Sequence, residues 1–245
     1  MKFDIYSYTN KGSRANNEDY YEFVQDGDKG AFVLADGLGG HGFGEIASKL
    51  VVKYMVNTAV QSEYAIDDDT LLNLMNSANA RLMQCHKDYP EYADARTTVA
   101  AAFYANGIFK FFNVGDSRVY YFKNGKVHAQ SKDHSVSQMS VALGDITADE
   151  IRNHEDRSKL LKVMGDSDNL NITKIEPKIT IEQGDAFLLG SDGFWEYVYE
   201  TEMEIDLLKS SSPKEWFEFM CRRLLRKVSV DNNNDNYTVI CGICN

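Results

Sequence analysis

The chain has 245 residues, 43% of them hydrophobic, and a formal net charge of −11 from 26 Lys and Arg against 37 Asp and Glu. That is enough apolar material for a sizeable core, and the acidic excess argues against nucleic acid, whose phosphates demand a basic surface. Cys85, Cys221, Cys241 and Cys244 are too few and too scattered for a disulfide scaffold, and no apolar run suits a signal peptide or a membrane span. The expectation is a cytoplasmic, monomeric protein with one domain over residues 1–245.

In chain order, Tyr20 to Val24 is strand-like, and Ala31 to Ala35 is a short apolar run that ends abruptly in Asp36-Gly37. Apolar residues near the 3.6 period predict helices over Glu45 to Val60 and Thr70 to Lys87. The runs Thr97 to Tyr104, Ile108 to Val114, Arg118 to Phe122 and Lys126 to Gln130 follow one another, two of the intervals being Asn-Gly turns. Asn-Gly between apolar runs favours hairpins because both residues tolerate positive φ, so an antiparallel meander is expected. Thr147 to Glu150 and Ser212 to Glu215 read as capping boxes at helix starts. Further strands are expected at Ile172 to Ile181, Ala186 to Gly190 and Tyr237 to Ile243. Antiparallel strands with segregated helices give an α+β class. Cys241 and Cys244 form a C-x-x-C, but they lie in a terminal strand where buried thiols are ordinary, and no second ligand pair for zinc is visible.

Asp36, Asp116, Asp192 and Asp235 all sit in turns beside apolar strands, and Glu18-Asp19 adds a fifth acidic point. Any one could be a simple turn residue. Brought together they would repel one another unless a hard divalent cation, which takes oxygen ligands, were held between them. Gly37 could let a main-chain carbonyl join such a site. Arg14 offers a planar fork suited to phosphate, and His41 lies in a glycine-rich loop five residues after Asp36.

The blocks Arg14-Ala15-Asn16-Asn17-Glu18-Asp19, Ala35-Asp36-Gly37-Leu38-Gly39-Gly40-His41, Thr97-Thr98 and Gly115-Asp116-Ser117-Arg118 occur in that order. They are followed by Lys132-Asp133-His134-Ser135, Gly190-Ser191-Asp192-Gly193 and Asp235-Asn236-Tyr237-Thr238-Val239-Ile240. Together they resemble the metal-dependent protein phosphatases of type 2C, the PPM family, and most closely its compact bacterial branch. The resemblance implies a four-layer α-β-β-α sandwich of two antiparallel sheets flanked by helices. It also implies hydrolysis of phosphoserine and phosphothreonine in proteins by a metal-activated water, with Mn²⁺ or Mg²⁺ as two core ions and a possible third. Carried over by residue, Asp36 bridges two metals and Asp192 and Asp235 complete one site. The Gly37 carbonyl serves the other, with Asp19 or Glu18 holding its waters. Asp116 with Asp192 holds the third ion, Arg14 binds phosphate, and His41 protonates the leaving oxygen. The implied partners are phosphorylated proteins, including a Ser/Thr kinase and its substrates.

Arg96 stands where the family has glycine, Leu161-Lys162 replaces Thr-Arg, and Phe194-Trp195-Glu196 is more like eukaryotic members, with Glu196 a possible extra acidic ligand. His86, His128, His134 and His154 are given no catalytic role. The alternative is a non-catalytic pseudophosphatase that binds phosphoproteins, which would be expected to lack one of Asp36, Asp192 and Asp235. A calcium-binding loop is disfavoured, because no D-x-[DN]-x-[DN]-G run closes with the required Glu.

Overall fold

A computed structural model describes residues 1–39, 43–167, 170, 172, 175, 178–231 and 234–245. Strands β1 (Phe3–Asn10), β12 (Tyr237–Cys244), β11 (Ala186–Gly190), β8 (Arg118–Lys123) and β9 (Lys126–Gln130) form one sheet in that spatial order. Strands β10 (Ile179–Thr180), β7 (Ile108–Val114), β6 (Val99–Ala105), β3 (Lys29–Ala35) and β2 (Tyr20–Asp26) form the second. A small ladder joins β4 (Gly37–Leu38) to β5 (Arg96–Thr97). Neighbouring strands within both sheets are antiparallel. Helices α1 (Gly44–Gln61) and α2 (Asp68–Asp88) cover the second sheet. The first sheet is covered by α4 (Asp192–Trp195), α5 (Glu200–Lys209) and α6 (Pro213–Asp231), while α3 (Val136–Leu143) lies between β9 and a 3-10 turn at Ala148–Asn153.

The apolar runs of the central strands are continuous because both faces of each sheet are buried. Along β3, Ala31, Val33 and Ala35 pack toward α1 and α2, while Phe32 and Leu34 pack between the sheets. Along β11, Phe187 and Leu189 enter that same inter-sheet core, and Ala186 and Leu188 face the opposite helices. This alternation yields three apolar layers and hence the four-layer sandwich, with Trp195 and Trp216 buried among the helices that cover the first sheet.

The structure corrects several expectations. The four central runs are not one meander: β6–β7 and β8–β9 are hairpins in different sheets, and the turn 115–117 carries the chain across. The run from Thr97 to Tyr104 is split at Thr98, whose N–H donates to the Asp36 carbonyl at 2.8 Å. Of the strand expected over Ile172 to Ile181, Ile179–Thr180 pairs with β7, and residues 173, 174, 176 and 177 lie outside the described residues. At α6, Ser212 Oγ accepts from the Glu215 N–H at 3.2 Å, but the Glu215 carboxylate reaches back to the Ser211 N–H at 2.7 Å, one residue beyond a capping box. Strand β1 was not anticipated, although Ile5, Ser7 and Thr9 alternate with Tyr6 and Tyr8 there.

Candidate metal centre and its family

Each acidic turn lies where a strand of the sandwich ends. Asp36 follows β3, Asp192 opens α4 directly after β11, Asp235 precedes β12, and Asp116 sits in the turn between the sheets. The antiparallel register puts Gly190 opposite Val239, so the segments carrying Asp192 and Asp235 leave neighbouring strands at one end. Two glycines allow the close approach. A Cβ at Gly37 would collide with the Gly44 main chain and the Glu18 carbonyl, and one at Gly193 would collide with the Asn236 carbonyl. Gly37 is therefore required by backbone packing against the start of α1, a more direct constraint than the carbonyl access inferred from the sequence.

The result is a polar cavity of about 410 Å³ bordered by Arg14, Glu18, Asp36, Gly37, Asp192 and Asp235. Asp19 and Asp116 do not border it and are both buried, 7% and 6% exposed, and Asp19 borders a separate cavity beside Glu45 and Lys49. His41 lies outside the described residues. Arg14 Nη2 donates to Asp235 Oδ2 at 2.6 Å, and both side chains are well exposed. Glu196, by contrast, accepts from Arg157 Nε at 2.9 Å and borders a different cavity.

The electrostatics are those of crowded carboxylates. Burial, followed by the charges of Asp19, Asp192 and Asp116, holds Asp36 well above the ordinary carboxylate range. Burial and then Asp192 do the same to Asp116. Burial and then Asp235 raise Asp192, with the neighbouring Asp36 carboxyl acting in the other direction. Asp19 is pushed up to about 7 by burial, despite the nearby Thr238 and Ser191 hydroxyls, which act in the other direction. Its Oδ2 accepts from Ser191 Oγ at 2.8 Å, whereas Oδ1 is buried with no partner among the described residues. An orphaned buried carboxylate oxygen is costly, and so are acids that suppress one another's ionisation.

These donors are all hard oxygens with an excess of negative charge, and their chemistry fits a divalent cation of the Mg²⁺ or Mn²⁺ kind. Among the described residues, no three His, Cys, Asp or Glu side chains are arranged as they stand to hold an ion. The carboxylates are near enough to shift one another's protonation without forming a finished coordination shell.

Sequence reasoning overlooked the supports of the cluster. Asn236 Oδ1 accepts from the Glu18 N–H at 2.8 Å, and its Nδ2 donates to the carbonyls of Lys11 and Asn16, tying the first acidic turn to the last. Ser191 bridges the Asp19 carboxylate and the Thr238 N–H, and Thr98 Oγ1 accepts from the Asp36 N–H at 3.0 Å. The signal for Ser191 and Asn236 was their adjacency to Asp192 and Asp235, and for Thr98 its place in the Thr97-Thr98 block. Arg96, the departure from the family pattern, donates to the carbonyls of Ala93 and Ala95 and so clamps the turn before β5.

The family model for protein phosphatase 2C matches residues 8–233. The chain belongs to the protein phosphatase 2C family. As a family member it is an enzyme, and its four layers are the family's fold. The serine/threonine phosphatase stp of Listeria welshimeri is 27% identical over 235 residues, which span 93% of this chain and 90% of that protein. The crystal structure of the serine/threonine phosphatase Stp1 from Staphylococcus aureus matches with a TM-score of 0.84 at 27% identity, over 100% of this chain and 96% of that one. The catalytic domain of the protein phosphatase PstP, solved in complex with two manganese ions, has the same fold. It gives a TM-score of 0.80 at 23% identity, over 99% of both chains.

Proposed function

We propose that this phosphatase 2C chain hydrolyses phosphoserine and phosphothreonine in proteins and depends on divalent cations held by the acidic cluster. The observation that carries the reading is the gathering of Glu18, Asp36, Asp192 and Asp235 around one cavity with Arg14 at its edge, backed by buried Asp19 and Asp116. In this reading Asp36 would serve two Mn²⁺ or Mg²⁺ ions, Asp192 and Asp235 would complete one site, and the Gly37 carbonyl would serve the other, with Asp19 or Glu18 holding its waters. Asp116 with Asp192 would hold a third ion. When bound, such ions neutralise phosphoryl oxygens and lower the pKa of water.

The protein's own groups have distinct tasks. Arg14 commits one Nη to Asp235, and the rest of its exposed fork borders the cavity, where it can take a phosphoryl oxygen. His41 is assigned the proton that the poor serine or threonine alkoxide leaving group needs. Ser191, Thr98 and Asn236 hold the carboxylates and their turns in place. The pseudophosphatase alternative finds no support, since Asp36, Asp192 and Asp235 are all present.

The chain is further proposed to act as one domain over residues 1–245, as a monomer in the cytoplasm. Its substrates are read as phosphorylated proteins, a Ser/Thr kinase and that kinase's substrates among them. Among the described residues, no helix is long and apolar enough to cross a membrane. The deciding experiment is phosphate release from phosphoserine, phosphothreonine and phosphotyrosine peptides with chelator and with added Mn²⁺ or Mg²⁺. Release from the first two, abolished by chelator and restored by metal, is expected. Full activity in excess chelator would end the metal assignment, and preference for phosphotyrosine would end the substrate assignment.

A further inference from the structure

Asp192 and Trp195 issue from the single turn of α4, three residues apart and so on adjacent sides of one helical turn. Asp116 belongs to a different segment, the turn that passes between the sheets. The Trp195 indole connects the two: its Nε1–H donates to the Asp116 main-chain carbonyl at 2.9 Å in a fully buried contact.

The ring has little freedom. Trp195 is 1% exposed, and the Arg118 guanidinium lies over it, 3.4 Å from the ring centroid. Arg118 is held in turn by a bidentate pair with Asp133, at 2.8 and 2.7 Å, between side chains 4% and 1% exposed. The Trp195 carbonyl accepts from Arg152 Nε at 3.1 Å, and Arg152 is paired with both oxygens of Glu200. For the indole to swing away, a stacked guanidinium backed by a buried ion pair would have to move with it. Trp216 supplies the contrast. It is equally buried, but its Nε1–H goes to the Met203 carbonyl at 3.0 Å, joining α5 to α6 away from the acidic cluster.

We propose that Trp195 is a positioning residue, a spacer whose indole N–H fixes the Asp116 turn against Asp192 and so sets the gap in which those two carboxylates share a cation. The proposal rests on the reading of the acidic cluster as a divalent-cation centre. It assigns Trp195 no contact with substrate or metal. Groups that orient ligating residues typically change metal affinity or activity by roughly 10–100-fold when removed.

The test uses the two indoles of the whole chain as reporter and control. In ¹H–¹⁵N spectra of the unaltered protein titrated with Mg²⁺, the Trp195 indole resonance is expected to move as the weakest equivalent of metal binds, while that of Trp216 stays. Either Trp195→Phe or Trp216→Phe identifies the two peaks, so only one of the variants has to fold. Trp195→Phe keeps an aromatic ring beneath Arg118 but has no N–H to give. Calorimetric titration with Mn²⁺ should then show two tight sites retained and the weaker one loosened by roughly 10–100-fold. Turnover of a phosphoserine peptide should fall with KM little changed, and should recover at high Mn²⁺. A Trp195 resonance that moves no more than that of Trp216 overturns the proposal, as does a weak site unchanged in Trp195→Phe. If the unaltered protein binds two ions and hydrolyses phosphoserine yet Trp195 is insensitive, only the spacer role is lost. Absence of both metal binding and hydrolysis removes the underlying functional reading as well.

Discussion

Burial and the crowding of neighbouring carboxylates hold both Asp36 and Asp192 above the ordinary carboxylate range. Asp36→Asn and Asp192→Asn are therefore expected to lower phosphate release by orders of magnitude. In chelator, their melting temperatures should equal or exceed that of the unaltered chain, since each removes a carboxyl whose ionisation opposes folding. Melting curves and phosphate assays on the same samples check this, and a variant that keeps full activity refutes the assignment. Glu196 is shifted in the same direction. Burial first, then Asp192, pushes its carboxyl up to about 7 from an ordinary value of 4.5, with the Arg157 ion pair acting in the other direction. A raised carboxyl favours the folded state while protonated, so its contribution is complete below the unfolded value and is lost as pH rises through about 7. In chelator, Glu196→Gln should show a smaller loss of melting temperature between about pH 4.5 and pH 7 than the unaltered chain. Equal losses in the two proteins would contradict the shift.

At the scale of elements, two devices set how well the scaffold holds the site. Helix α2 starts at an Asp67 cap whose carboxylate accepts from the Thr70 N–H at 2.9 Å and from its hydroxyl at 2.6 Å. Asp67→Ala should cost about 1 kcal/mol in denaturant melts and leave phosphatase activity intact. The start of β8 is held by the buried Arg118–Asp133 pair, the inner support of the turn that carries Asp116. Asp133→Ala strands the guanidinium without its partner and should cost roughly 3–5 kcal/mol, read by the same melts. A loss under about 1 kcal/mol would show that Tyr120 and Glu200, the other oxygens near Arg118, suffice to compensate it.

For the whole molecule, the acidic turns converge from four separate strand ends, so the repulsion among them opposes the packing of the entire sandwich. A cation that binds only the folded chain adds to its stability by mass action, about 2.7 kcal/mol at a hundredfold excess over Kd. For a chain of this length that corresponds to a rise of roughly 5–11 °C in melting temperature, because each kcal/mol shifts it by about 2–4 °C. Differential scanning calorimetry with chelator and with Mn²⁺ checks the prediction. No shift would mean that the carboxylates do not bind a cation in the folded state.

Local patterns in the sequence determined most of the elements. The Asn-Gly turns placed both hairpins, the 3.6 period placed α1 and α2 to within two residues, and the acidic turns stood out because each lies at the end of an apolar strand. The family resemblance supplied the four-layer arrangement, and the match over residues 8–233 agrees with it. Only the tertiary structure decided which sheet each hairpin joins, because β7 and β8 are both buried on two faces and their patterns do not say which core each side chain enters. It also decided that Asp19 and Asp116 are buried without bordering the cavity, that Arg14 pairs with Asp235, and that the Trp195 indole donates to Asp116 across 79 positions of chain. Contacts of that kind depend on how distant segments pack, and spacing along a sequence carries no measure of distances formed only when two sheets close on each other.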